Sequence, residues 1–186
     1  MHTNKSVFLA LALLFISNFG SAQNTVSNWK KYFSVDSIYQ ISFPGKVFVL
    51  SDTLQSDFGP ILKRTIFTQD TVIAPGVNFS VTEFHYPTGV IDGSDSETIN
   101  ALFDATIDGS LSQTKGILDY RSREELAGFA ASVWRITYDS NRKVVRHKAV
   151  IIDGVMLILQ VSMPVRGSNS RVSDKFMSTF RIDYKG

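Results

Sequence analysis

The sequence predicts an α+β protein, an α/β/α sandwich whose central antiparallel sheet carries helices on both faces. Three observations lead there. Most of the chain alternates apolar and polar residues with period two, in runs broken by turn residues, the pattern of half-buried strands. One mid-chain stretch changes period: Ile99, Leu102, Phe103, Ile107 and Leu111 fall on one face of a helix. Finally, Val155-Met156-Leu157-Ile158-Leu159 does not alternate at all. An antiparallel strand that is apolar on both sides has to be covered on both sides.

The elements follow in order. Trp29 to Phe33 is a short aromatic lead-in, and Tyr39, Ile41 and Phe43 form a strand that stops at Pro44-Gly45. Val47 to Leu50 is a brief apolar strand; Pro60 to Thr68 and Val77 to Tyr86 are longer ones. In the last, Phe79, Val81, Glu83 and His85 share one face, and Ser80, Thr82, Phe84 and Tyr86 the other. Ser94-Asp95-Ser96-Glu97 fits a capping box, in which the Ser94 hydroxyl and the Glu97 carboxylate satisfy the first amides of a helix. Gly116 ends that helix, whose outer face carries Asn100, Asp104 and Asp108 as solvated groups. A four-strand meander follows: Ile117 to Glu125, Phe129 to Tyr138, Lys143 to Ile152 and Val155 to Met163. Asp153-Gly154 is its clearest hairpin signal, because a type I′ turn needs positive φ at both central positions. Ser170 to Phe180, with Val172, Phe176 and Phe180 as a stripe, supplies the second helix. With no repeat or long linker between residues 29 and 182, residues 23–186 read as a single domain.

Residues 1–22 read as a signal peptide. Lys5 precedes the apolar run Val7 to Phe19, and Gly20-Ser21-Ala22 provides the small residues of a cleavage site, so the cut falls between Ala22 and Gln23. The run is shorter than the ~20 residues that cross a bilayer. The chain has no cysteine, hence neither a lipid-anchoring thiol nor a disulfide. The expectation is a soluble, exported protein, periplasmic or extracellular, with no transmembrane segment after cleavage. Without Lys5 the chain carries 18 basic and 17 acidic residues, a balance that argues against nucleic-acid binding. The charges are uneven: residues 23–112 sum to −5 and residues 113–186 to +6. Either the halves neutralise each other or the C-terminal sheet offers a cationic face to an anionic partner.

Several local strings are familiar in this order. Phe43-Pro44-Gly45-Lys46 after the strand at Tyr39, the amphipathic mid-chain helix, the turn at Gly128, the hairpin at Asp153-Gly154 and the closing Lys175-Phe176-Met177-Ser178-Thr179-Phe180-Arg181 resemble PsbP-like proteins. The resemblance runs from about Trp29 to Ile182 and implies an α/β/α sandwich with a central antiparallel sheet. It also implies a scaffold that binds other macromolecules, since family members include a photosystem subunit, a regulator of a nuclear GTPase, envelope lipoproteins and effector chaperones. It carries over no catalytic residues, and this chain lacks the cysteine of the lipoprotein members.

The inventory for catalysis is thin. The mature chain has two histidines, His85 and His147, no thiol, and no Gly-x-Ser-x-Gly, His-Glu-x-x-His or Walker-type string. No catalytic residue, metal ligand or cofactor is assigned. Counting outward from the turns places His147 opposite both Gln160 and Trp134, a row that reads as a pocket floor or as a satisfied core histidine. The same count sets Arg135 opposite Arg146, a repulsive pair that Glu124, Glu125 or a bound anion would relieve. With Arg142, Lys143 and Lys148 nearby, this is the candidate partner or anion surface, unless the cations merely guard a sheet. Asp36-Ser37-Ile38, Asp52-Thr53-Leu54 and Asp70-Thr71-Val72 resemble O-glycosylation sites of exported bacterial proteins. The expected role is a non-catalytic binding or accessory protein of the bacterial cell envelope, its partner another envelope protein or component. The alternative is a small-molecule or anion carrier using the Trp134/His147 region.

Overall fold

A computed structural model describes residues 29–68, 74–91, 95–166 and 170–184. The signal segment with its Ala22/Gln23 junction, and Asp70-Thr71-Val72, lie outside the described residues.

The described chain is α+β and mostly antiparallel sheet. Strands β1 (Trp29–Phe33), β2 (Tyr39–Pro44), β3 (Val47–Ser56), β4 (Gly59–Thr68) and β5 (Asn78–His85) precede helix α1 (Ser96–Thr114). Strands β6 (Ile117–Leu126), β7 (Phe129–Tyr138), β8 (Lys143–Ile152) and β9 (Val155–Pro164) follow, then α2 (Ser170–Thr179) and β10 (Arg181–Ile182). Seven strands form one sheet in the order β3-β4-β5-β9-β8-β7-β6, and β1-β2-β10 form a second. The meander expected from β6 to β9 is present. Its β9 edge is joined by β5, so that the N-terminal hairpin extends the same sheet.

Period-two alternation divides the core in two. On one side Phe79, Val81, Val150, Leu157, Leu159 and Val161 pack with Tyr39, Ile41 and Phe43 of the small sheet and with Phe176 and Phe180 at α2. On the other, Ile99, Phe103 and Ile107 of α1 pack on Trp134, Ile136, Val145, Ala149 and Ile151. Val155–Leu159 has apolar cover on both sides, as its composition requires. The first side, however, is covered by a small sheet together with α2 rather than by a helix alone: α2 packs against β2. The aromatic lead-in is itself a strand, paired with β2 from Trp29↔Pro44 to Phe33↔Gln40.

Four further expectations change. β3 runs ten residues, not four, because β4 pairs with it along its whole length, Val47↔Thr68 to Ser56↔Gly59. The α1 cap is Asp95, whose side chain accepts from the Glu97 and Thr98 amides; Ser94 lies outside the described residues. Lys115, at φ 50°, takes the left-handed conformation that ends α1, one residue before the expected stop at Gly116. Gly116 answers a different need, since a Cβ there would overlap the Ile136 side chain and stand 2.8 Å from the Thr137 carbonyl oxygen. Nor are the α1 side chains Asn100 and Asp104 merely solvated. Arg123 bonds both, and Arg121 reaches Asp104 at 3.0 Å, tying the helix to edge strand β6.

Candidate functional site

The register counted from the turns is the one adopted: Trp134↔His147, His147↔Gln160 and Arg135↔Arg146. Asp153 and Gly154 take φ 43° and 76°. The three residues of the row end up in different surroundings. Trp134 is fully buried beneath α1. His147 stacks on the indole, rings 4.6 Å apart and 12° from parallel, and is itself 6% exposed. Burial pushes its imidazole down to about pKa 4, against a smaller upward pull from a hydrogen bond with Gln160. The ring is therefore neutral near pH 7, and its Nδ1 has no hydrogen-bond partner among the described residues.

Gln160 and His147 floor a groove of about 610 Å3 between α1 and the β4-β5-β9 part of the sheet. Alternation builds the floor in rows. Lys63, Phe84 and Met156 form the first, Thr65, Thr82 and Ile158 the second, and Ser80, Gln160 and His147 the third. Small and polar α1 residues, Ala105, Thr106, Gly109 and Ser110, make the opposite wall. Thr65 and Thr82 approach each other at 3.5 Å, while the Thr106 and Ser110 hydroxyls bond back to carbonyls of their own helix. No carboxylate lines the groove, and Lys63 has no ion-pair partner among the described residues. Sequence reasoning found His147 and Gln160 but not this setting. The available signal was the alternation of Ser80 and Thr82 with the apolar Phe79 and Val81, which leaves one face of that strand polar.

The proposed cationic surface is internally paired. Arg135 forms an ion pair with Asp119 at 3.0 Å without hydrogen-bond alignment, Arg142 and Lys143 reach Asp139, Arg146 pairs with Asp174, and Lys148 lies 3.8 Å from Glu124. Relief of the Arg135/Arg146 repulsion thus comes from Asp119 and Asp174, not from Glu124, Glu125 or a required anion. Asp119 gets there because a register shift between Leu118 and Tyr120 makes it the extra residue of β6, aimed at Arg135 and Thr137.

A second polar cluster was missed. Glu83, 1% exposed, accepts from Tyr39 Oη at 2.8 Å and from Arg64 Nη1 at 2.9 Å, and His85 Nε2 stands 3.0 Å from it. Asp36 approaches the other His85 nitrogen at 3.8 Å. Burial alone would raise the Glu83 carboxyl, but the His85 and Tyr39 hydrogen bonds and the Arg64 charge outweigh it, leaving the pKa lowered. Burial and the same carboxylate push the Tyr39 hydroxyl far up. The cluster joins β2 of the small sheet to β4 and β5 of the large one, a cross-brace whose polar atoms are matched to one another. Among the described residues no group of three or more His, Cys, Asp or Glu side chains is placed to hold a metal ion.

No family model matches the chain, and no curated protein matches it. Among solved structures, it is similar to cyanobacterial PsbP (CyanoP) from Synechocystis sp. PCC 6803. The TM-score is 0.55 at 12% identity, over 86% of this chain and 95% of that one. A protein from Bacteroides thetaiotaomicron matches with TM-score 0.46 and 12% identity, over 84% of this chain and 49% of that one. A protein of unknown function from Pseudomonas aeruginosa matches at 0.44 and 10%, over 85% and 99%. The first likeness is one of fold: the chain has a PsbP-like fold. No described helix is long and apolar enough to cross a membrane.

Proposed function

We propose that this chain is an exported, non-catalytic binding protein of the bacterial envelope with a PsbP-like α/β/α architecture, and that its ligand seat is the groove beside α1. Of the two roles expected from the sequence, ligand carriage is the better supported. The observation that carries it is the floor of the groove: hydroxyl and amide side chains of Thr65, Ser80, Thr82 and Gln160 stand half-buried next to Phe84 and Ile158. A concavity of several hundred Å3 in which directed polar groups alternate with apolar side chains can seat a small molecule that is itself part polar and part apolar. The cationic surface loses ground because each of its five members is held by a carboxylate of the same chain. Export rests on residues 1–22.

An accessory role remains as the second reading, favoured by edge strand β3. Phe48, Val49 and Leu50 are exposed along it, and Phe58 at its turn.

A thermal-shift screen against a broad small-molecule library tests the first reading. A ligand at a hundred times its Kd stabilises by about 2.7 kcal/mol, or roughly 5–10 °C for a domain of this size. Ser80→Trp, which fills the groove, abolishes the shift. A library in which no compound stabilises the wild type, or whose hits stabilise Ser80→Trp equally, refutes the assignment.

A further inference from the structure

We infer that, if the groove is the ligand seat, its occupant is an uncharged, polyhydroxylated chain: a neutral oligosaccharide lying across the strands. Charge is the first argument. Among the described residues the lining contains no carboxylate and one cation, Lys63, and His147 is neutral beneath it. A cationic ligand would lose its hydration with nothing to replace it, and a polyanion would meet a single positive charge.

Hydrogen-bonding capacity is the second. The Ser80 hydroxyl has no side-chain or backbone partner among the described residues, and Thr65 and Thr82 share one long contact. Hydroxyls and the Gln160 amide both donate and accept, as do the hydroxyls of a sugar. An acyl chain in the same place would strip these groups of water and leave them unmatched, at a cost for each.

Register supplies the third. Phe48, Phe67, Ser80, Gln160 and His147 face one another in succession across β3, β4, β5, β9 and β8. The row thus runs from the groove floor onto an open platform, where the Phe48 and Phe67 rings stack at 5.7 Å and 29°. Aromatic faces are electron-rich and attract the polarised C–H groups of a pyranose face. Neighbouring strands are about 4.8 Å apart, close to the advance per ring of a linear oligosaccharide. Each strand therefore offers one contact per sugar, with stacking at the edge and hydrogen bonds inside. Lys46, 5.1 Å from the Phe48 ring centroid, is a flexible surface side chain that the ligand displaces.

The test is amide NMR of the full mature chain titrated with cellotriose, chitotriose and maltotriose, and separately with decanoate and inorganic phosphate. The expected result is that at least one trisaccharide shifts the Ser80, Thr82 and Gln160 amides, with an affinity unchanged up to about 0.5 M NaCl. Gln160→Ala and Ser80→Ala each weaken it three- to tenfold. If decanoate or phosphate moves those amides and the sugars do not, the groove stands as a ligand seat and the oligosaccharide assignment falls. If nothing in the panel or the wider library moves them, both fall.

Discussion

Replacing His147 probes the floor of the groove without reference to any ligand. The imidazole protonates at 6.5 when free and near 4 in the fold. Between those values the unfolded chain binds one more proton than the native one, so stability is greatest above pH 6.5 and declines as the pH falls toward 4. The whole displacement corresponds to about 3 kcal/mol, and the part lying between pH 7 and pH 5 to about 2 kcal/mol. Its origin is desolvation under α1, partly offset by Gln160. Urea unfolding of the wild type should therefore give a stability about 2 kcal/mol lower at pH 5 than at pH 7, a melting point lower by roughly 4–8 °C. In His147→Gln the absolute stability is free to change, but the difference between the two pH values should shrink by more than half. An equal pH dependence in wild type and variant refutes the reasoning. So does an NMR titration in which the ring protonates at pH 6 or above.

Five other substitutions, at four residues, test the scaffold. Tyr39→Phe removes one hydrogen bond to a buried carboxylate and should cost about 1.5–3 kcal/mol, while Glu83→Ala strands Arg64 and should cost about 3–5 kcal/mol. The double variant should cost less than their sum, and strict additivity in urea unfolding would show that the cluster does not act as a unit. Because the Glu83 carboxyl is held below its ordinary 4.5, its contribution is complete above that pH and lost below it, a loss that Glu83→Gln should remove from the acid limb. Gly116→Ala should destabilise by about 1–3 kcal/mol through overlap with Ile136 and Thr137; a neutral result would mean that β6 can retreat from β7. Arg146→Ala, at a partly exposed pair with Asp174, should cost no more than about 1 kcal/mol, and a larger loss in thermal melts would mark Arg146 as more than a surface cation.

What could be read in advance depended on whether the determinant was local. The β7, β8 and β9 spans, their register and the Asp153-Gly154 turn follow from alternation in β7, from the unbroken apolar run of β9 and from turn residues that tolerate positive φ. All act over a few positions, so the Trp134–His147–Gln160 row can be counted out from the sequence alone. β3 was cut short because Ser51-Asp52-Thr53 carries no apolar signal; its length is set by β4, whose pairing with it is invisible in a single strand's pattern. The Glu83 cluster was legible only as a charge on the same face of β5 as Phe79 and Val81. Its partners Tyr39 and Arg64 come from separate strands, 44 and 19 residues away. The Asp119 bulge and the ion pairs of Arg135 and Arg146 are likewise tertiary, which is why the sequence shows the cations without the carboxylates that face them.

The groove itself follows from a mismatch of widths. Seven strands at about 4.8 Å make a sheet nearly 30 Å across, whereas one helix with its side chains is about 10–12 Å wide and shields two or three strands. On the side of the small sheet, β1, β2, β10 and α2 together span the gap. On the other side α1 stands alone among the described residues, and it sits over β7 and β8, where Trp134, Ile136, Val145 and Ala149 are buried. What remains of that face must meet water, and the sequence is adjusted strand by strand: Thr65 on β4, Ser80 and Thr82 on β5, Gln160 on β9. Had the face been closed by a partner chain throughout, these positions would be expected to be apolar like Ile151 and Ala149 beside them. Had it been simply solvent-exposed, Phe84, Ile158 and the Phe48/Phe67 stack would have no reason to persist there. Directed polar groups in the groove, with an aromatic pair on the adjoining strands β3 and β4, fit a small, uncharged, hydroxyl-rich ligand better than either a dry interface or bare water.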